Sequence, residues 1–511
     1  MVSPAFVVAT MGRRGLLRPG PPHRVVQQFR TLGKWGYGLA GELRQAAVRS
    51  PSRVAVIDGS RSLTYGELLS RSSRLASALP VSAGDRVGVL CRNSAALLET
   101  LFAVASVGAD PVLINTGLSA SQLSAVVVAQ DLKVVVHDPA FAGLLPGFGG
   151  AISTSSLDAL ISAAPPDVSL APPARAGRTI VLTSGTTGLP KGAQRPTPSG
   201  FGPLCSIIDR IPLRAGVRMM IAAPLFHTWA FAGLQIALAL RATVLLRPRF
   251  EPSEALAAMR SADCTALIAV PVMVQSLMEL APDVPLPPLS VAAVSGSALP
   301  GGLATRFMDR YGDILYNLYG STEASWVSIA TPADLREAPD TAGRPPHGTA
   351  VAVLDESGAP VPRGTTGRLF VGNEMLFEGY TNGSSRELRD GLLATGDLGH
   401  LDAAGRVFVD GREDDMIVSG GENVFPSEVE DLLAALPEVL EVAVIGVPDE
   451  EYGQRLAAYV VLRSPAALDA DDLRAHVRAN RARFCVPRDV VFLPALPRNA
   501  TGKVLKRDLP R

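Results

Sequence analysis

The chain has 511 residues, 48 basic and 48 acidic, so its formal net charge is zero. That length allows more than one domain, and the balance of charge gives no reason to expect a nucleic-acid partner. Four scattered cysteines, Cys91, Cys205, Cys264 and Cys485, with no CxxC pair, fit a reducing cytosol, and no apolar run reaches the roughly 18 residues of a spanning helix.

Residues 1–53 carry nine Lys/Arg and one acid, Glu42. Met1–Thr10 is mildly apolar, yet Arg13-Arg14 follow it, the reverse of a signal peptide's order. Residues 1–36 therefore read as a basic arm, either disordered or a misassigned start, and dispensable for soluble activity. Its charge suits peripheral contact with an anionic membrane. Gly38–Ser50 reads as a helix. Val54–Ile57 and Ser62–Thr64 read as strands about the turn Asp58-Gly59-Ser60. Helices are expected at Tyr65–Ala78, Asn93–Val107 and Gln122–Ala129, between strands at Asp85–Cys91, Pro111–Asn115 and Lys133–His137. This alternation implies an α/β fold of doubly wound, mainly parallel sheets.

Asp158–Arg178, rich in Pro and Ala, reads as a connecting loop. Strands resume at Arg218–Ala223, Ala242–Leu246, Ala266–Ala269 and Val291–Ser295. From Thr349 to Val371 the apolar period becomes two, which suggests a β-rich subdomain. Gly411-Arg412-Glu413-Asp414-Asp415 is a charged break after the strand Val407–Asp410. Beyond it lies a compact α+β region with strands Val442–Val447 and Leu456–Leu462 and a helix over Asp469–Arg483. The expected division is 1–36, 37–410, a hinge at 411–414, and 415–511.

Between Thr179–Leu182, a buried strand by its apolar run, and Gly192 lies T-S-G-T-T-G-L-P-K. Its hydroxyls, glycines and Lys191 suit an anion cradle, because a glycine-rich turn can aim successive N–H groups into one concavity. A flexible surface turn is the local alternative. The P-loop pattern is not matched, since Lys191 follows Pro190 and precedes Gly192.

Further motifs follow in order: Pro224–Trp229, Ser295–Pro300, Tyr319-Gly320-Ser321-Thr322-Glu323, Thr395-Gly396-Asp397, Gly411–Asp414, Ser419–Asn423 and Leu496–Lys503. Together with the phosphate-type loop they resemble the adenylate-forming enzymes: acyl-CoA synthetases, nonribosomal peptide adenylation domains and luciferases. The resemblance spans nearly everything after residue 37 and is strongest to actinobacterial fatty-acid–CoA ligases. It implies an N-terminal AMP- and acyl-binding domain, a mobile C-terminal lid, and ATP, Mg²⁺, CoA and a fatty acid as partners.

The resemblance also implies roles. Thr183, Ser184, Gly185, Thr186, Thr187, Gly188 and Lys191 would hold phosphates. Ser295, Gly296 and Ser297 would run along adenine, and Tyr319, Gly320 and Ser321 would stack beside it. Thr322 would donate to the α-phosphate and Glu323 would ligate Mg²⁺. Asp397 and Arg412 would bind ribose, although Asp397 also reads locally as a turn aspartate. His227 and Trp229 would line the acyl and pantetheine junction; a lone His on an apolar stretch is otherwise a core residue. Gly420 and Gly421 would border the thiol tunnel, Asp414 would be the pivot, and Lys503 would stabilise charge on the transferring phosphorus. The implied reaction is acyl-adenylate formation followed by thioester formation. Alternatives are a fatty acyl-AMP ligase that loads a carrier protein, an aryl or amino-acid adenylating enzyme, and a nucleotide-binding protein with a dead site.

Overall fold

The computed structural model describes all residues except 1, 19, 184–189, 281–283, 414, 420–421, 450–452, 465–467, 500–501 and 511. Two α/β sheets form its body. The first has eight strands, in spatial order Ser328–Ala330, Leu315–Tyr319, Val291–Val294, Ala266–Ala269, Arg218–Ile221, Thr243–Leu246, Val54–Asp58 and Arg61–Thr64. All inner pairings are parallel, and only the two edge strands run antiparallel. Ala266–Ala269 and Val291–Val294 are buried at every position, as strands covered on both faces must be. The second sheet has six strands, ordered Ala151–Ser153, Leu132–His137, Arg86–Leu90, Asp110–Leu113, Ile180–Thr183 and Lys191–Gln194. Its last pair is antiparallel and places Thr183 opposite Lys191.

Helices Leu39–Arg49, Ala95–Ser106 and Thr228–Ala239 contribute to the principal core. The last two are apolar nearly all round, and such helices are stable only when enclosed. Capping boxes set the starts of Tyr65–Ala78 (Thr64 with Glu67) and Ala120–Ala129 (Ser119 with Gln122). An antiparallel sheet follows, built from Ala350–Leu354, Gly367–Gly372, Leu388–Arg389, Leu392–Leu401 and Val407–Arg412. The C-terminal region has its own five-stranded sheet and its own core around Val429, Val444, Val460 and Val477. It touches the body through Gln275 Nε2, which donates to the Leu440 carbonyl at 2.6 Å, and through an Arg463–Glu279 ion pair.

Three expectations change. Residues 4–35 are not an unstructured arm: Pro4–Arg13 and Pro22–Trp35 are helices. Met11 and Leu16 join the principal core, and Leu32 is 1% exposed. The basic residues drew attention to charge, while the apolar faces carried the packing. Asp158–Arg178 is not all loop, because the helix Leu157–Ala163 enters it and buries Leu157 and Ile161. The strand read as ending at Asp410 continues to Arg412, held by pairing with Asp397 and Leu398. Among the described residues, no helix is long and apolar enough to cross a membrane.

Because Leu32 is enclosed, Leu32→Ala should cost about 2–5 kcal/mol and lower the thermal midpoint. Removal of residues 1–36 should lower it as well. A truncated chain that melts at the full-length temperature would contradict this packing.

Candidate active site

An interior cavity of about 260 Å³ runs beside helix Thr228–Ala239. Thr228, Ala232, Gln235, Ile236 and Ala239 line it, a three-to-four spacing that marks one helical face. Thr228 Oγ1 lies 2.9 Å from Thr322 Oγ1, which fixes one end of the cavity at the loop after the strand Leu315–Tyr319. That loop is tight. Ser321 Oγ accepts from the Ala324 N–H at 3.0 Å, and Ser325 has φ +63°. A Cβ on Gly320 would stand 2.3 Å from the Ser325 carbonyl oxygen, so only glycine fits there. Ser295 and Gly296 line the same end, with Gly296 at φ +99°, and Ser297 is exposed next to them.

Three motifs distant in sequence converge beside this end. Asp397 and Arg412 are cross-strand partners. The Tyr319 hydroxyl donates to Asp397 Oδ2 at 2.5 Å, and Arg412 Nη1 stands 3.7 Å from Oδ1. Burial, then the neighbouring carboxylate, pushes the Tyr319 phenol well above its usual range, so it remains a donor. The Tyr380 hydroxyl donates to Glu323 Oε1 at 2.5 Å, and Arg386 Nε lies 3.6 Å from that oxygen. Burial, reinforced by Glu323, pushes Tyr380 up to about 12. Lys191 Nζ sits 5.5 Å from the centre of the Tyr380 ring, so the lysine after the phosphate-type loop faces the Glu323 cluster.

Trp229 is buried, and its Nε1 donates to the Ala269 carbonyl at 3.0 Å. His227 also lines the cavity, and its buried Nε2 takes no hydrogen bond among the described residues. Burial pushes its pKa down to about 4. It therefore stands neutral against the cavity, and among the described residues no carboxylate pairs with it to make it a base. In the C-terminal region the Lys503 N–H is held by Asn499 Oδ1 at 2.9 Å. A Cβ on Gly502 would meet Val272 Cγ1 at 2.4 Å. The lysine turn thus abuts helix Pro271–Met278, whose N-cap residue Val270 lines the cavity. Ser184, Gly185, Thr186, Thr187, Gly188, Asp414, Gly420 and Gly421 lie outside the described residues.

The motifs did not disclose Tyr37, Glu42, Arg195 or Gln235, all of which line the cavity. Arg195 is 6% exposed and its Nη1 donates to the Thr322 carbonyl at 2.6 Å. Burial pushes its pKa down to about 10. Its place a few residues after the glycine-rich loop was the available signal. For Glu42 the signal was its isolation as the only acid in the first 53 residues.

Comparison with known proteins agrees with this geometry. The profile of the AMP-binding enzyme matches residues 43–381, and that of the AMP-binding enzyme C-terminal domain matches residues 428–503. The chain belongs to the AMP-binding enzyme family. Feruloyl-CoA synthase from Amycolatopsis sp is 34% identical to this AMP-binding enzyme over 94% of its chain and 98% of the relative. Indoleacetate–CoA ligase from Aromatoleum aromaticum is 32% identical, covering 90% and 95%. Among solved structures, o-succinylbenzoate CoA synthetase from Bacillus subtilis with its acyl-adenylate superposes with a TM-score of 0.82. It is 29% identical and covers 92% of this chain and 98% of that one. These names concern acids with aromatic rings, and no fatty-acid ligase stands among these three.

The buried His227 makes this AMP-binding enzyme sensitive to acid. The unfolded chain binds a proton near the ordinary histidine value of about 6.5, whereas the folded one binds it only near 4. The unfolded state therefore holds more protons between these values, and stability falls as pH drops through that window. In His227→Gln, thermal midpoints should decline less between pH about 6.5 and 4. Parallel declines in both proteins would remove His227 as a cause.

Proposed function

We propose that this chain is an ATP-dependent, AMP-forming ligase that joins an elongated hydrophobic carboxylic acid to CoA. The convergence of Tyr319, Asp397 and Arg412 beside the Thr228–Thr322 end of an apolar cavity carries the reading. In the first half-reaction the substrate carboxylate oxygen attacks the α-phosphorus of ATP. Pyrophosphate leaves, and an acyl-adenylate forms. In the second, the CoA thiol attacks the acyl carbonyl and loses its proton, and AMP departs. Asp397 and Arg412 hold the ribose, Tyr319 holds Asp397 and backs the adenine, and Thr322 donates to the phosphate. Lys191 and the hydroxyls of the preceding loop meet the outer phosphates. Lys503 meets charge that grows on the phosphorus oxygens, where a preorganised cation is most effective.

Among the described residues no group of three or more His, Cys, Asp or Glu side chains could hold a metal on its own. Glu323 is a single buried carboxylate in the phosphate region, and Mg²⁺ is ordinarily held by one or two carboxylates together with substrate phosphates. The residues fit Mg²⁺ delivered with ATP, which supplies neutralisation of phosphate charge.

Leu204, Ile207, Ala232 and Ile236 give the cavity an aliphatic wall, which supports a fatty acyl chain. The aromatic acids named for the relatives support an aryl acid instead. A panel of decanoate, palmitate, ferulate and indoleacetate, scored by CoA-dependent AMP release, separates the two. Release with none of them would overturn the ligase reading. Lys503→Ala should cut acid-dependent pyrophosphate release about a hundredfold or more. Thioester formation from supplied acyl-adenylate should stay within a fewfold of wild type. Equal losses in both halves would remove Lys503 from the first step.

A peripheral contact with anionic lipid is part of the proposal. Leu17, Val26 and Phe29 stay exposed around one shallow groove that Arg18 and Arg49 also line, and Arg30 and Lys34 are exposed on the same helix as Phe29. Apolar insertion together with a basic rim is the combination that anionic bilayers bind. Replacing Val26 and Phe29 together by Ser should weaken cosedimentation with phosphatidylglycerol vesicles severalfold, and added salt should do the same. Binding indifferent to both would refute the contact.

A further inference from the structure

We propose that Glu42, with Tyr37 and Gln235, forms a polar terminus to the acyl cavity that selects carboxylic acids bearing an oxygen function at the end remote from the carboxylate. The inference rests on the ligase reading for the direction in which the acid enters.

The cavity has two chemically different ends. Thr228 marks the reacting end through Thr322. Ala239 lies eleven residues further along the same helix, about 16 Å at 1.5 Å per residue. Helix Leu39–Arg49 packs at that far end, because Gln45 Nε2 donates to the Leu238 carbonyl at 3.2 Å. From this helix Glu42 faces the cavity while only 7% exposed. Tyr37 stands just before the helix, edge-on to Phe201, with ring centres 5.3 Å apart. Gln235 reaches the cavity from the opposing helix.

The hydrogen bonds leave Glu42 half used. Gln45 Nε2 donates to Glu42 Oε2 at 2.9 Å as well as to Leu238, and Gln45 Oε1 accepts from Gln28 Nε2 at 2.7 Å. Among the described residues Glu42 Oε1 takes no hydrogen bond. Glu42 lines the cavity, so this oxygen can meet a polar guest there, whereas a leucine would offer only an apolar wall. Burial also pushes Glu42 up to about 8, against the opposing pull of Gln45 and Arg241, so at neutral pH it is a carboxylic acid and a donor. Burial, then proximity to Glu42, raises the Tyr37 phenol, which remains protonated too. A hydroxyl or carbonyl oxygen arriving between these groups and Gln235 would find the partners that a methyl end leaves idle. A site built to hydrogen-bond a substrate oxygen discriminates strongly against the analogue that lacks it.

The test is calorimetric binding to the full chain of matched acids: octanoate, decanoate and dodecanoate against their ω-hydroxy counterparts, and cinnamate against 4-hydroxycinnamate. In at least one pair the oxygenated acid should bind about tenfold tighter or more. Glu42→Leu should bring that ratio close to unity, and Glu42→Gln, which keeps a donor, should retain most of it. A merely structural Glu42 would change folding without changing the ratio. If Glu42→Leu does not fold, Gln235→Leu takes its place with the same expected loss. Equal binding within every wild-type pair, no binding of any acid, or a ratio untouched by the folded variant would overturn the proposal. CoA-dependent AMP release with the same acids reports separately on the ligase reading. Release without discrimination sinks the polar terminus alone, and discrimination in binding without release sinks the ligase alone.

Discussion

Helix Thr228–Ala239 has no polar face to give to water, and much of the molecule follows from that constraint. It must be enclosed, and the two α/β sheets, helix Leu39–Arg49 and the loop after Tyr319 enclose it. Enclosure is incomplete along one face, where Ala232 and Ala239 are too small to fill the space, and the remaining gap is the cavity. Its helical axis therefore sets the cavity's direction: its N-terminal end sits against Thr322, and helix Leu39–Arg49, which carries Glu42, packs near Leu238. A pocket built on a rigid buried helix holds its shape without a ligand, which lowers the ordering cost of binding.

Charge is arranged around that gap with equal economy. Arg195, Glu323, Arg386 and Lys191 gather at the Thr322 end, where burial makes their mutual interactions stronger than in water. Arg195 is tied to the Thr322 carbonyl, so it also fixes the loop that carries Glu323. Away from Arg195, burial holds the cavity's His227 and Glu42 toward their neutral forms. The charged end suits phosphate chemistry, and the neutral wall admits an apolar acyl body.

How much of this was legible in the sequence depended on the range of the interaction. Helix Tyr65–Ala78 and strand Ala266–Ala269 were located to the residue, because apolar patterning within one element is a local signal. Tyr319, Asp397 and Arg412 were found by motif, yet their mutual bonds depend on a strand register that no local pattern reports. Glu42 was visible only as an isolated acid, since its meaning comes from Gln28, Gln45 and Leu238, far apart in the chain. The first 36 residues were misread because charge is conspicuous and a narrow apolar stripe on a basic helix is not. The acyl preference was read as fatty-acid from overall likeness, whereas the residues that bound the cavity belong to seven separate segments.

The C-terminal region adds a geometric requirement of its own. Among the described residues its contacts with the body include the Gln275–Leu440 bond, the Arg463–Glu279 pair and the close approach of Gly502 to Val272, while its hydrophobic core is its own. Strand Val407–Arg412 anchors the near side of the junction by pairing with Leu398 and Asp397, and Arg368 ties Glu413 to the same sheet at 2.5 Å. The Asp397–Arg412 pair and the start of the junction therefore share one strand pair. Asp397 and Arg412 are thereby fixed in the sheet of the body, on the near side of the junction. A hinge needs only a few residues to absorb a large change of backbone angle, so a pivot beyond a paired strand would leave that strand pair undisturbed.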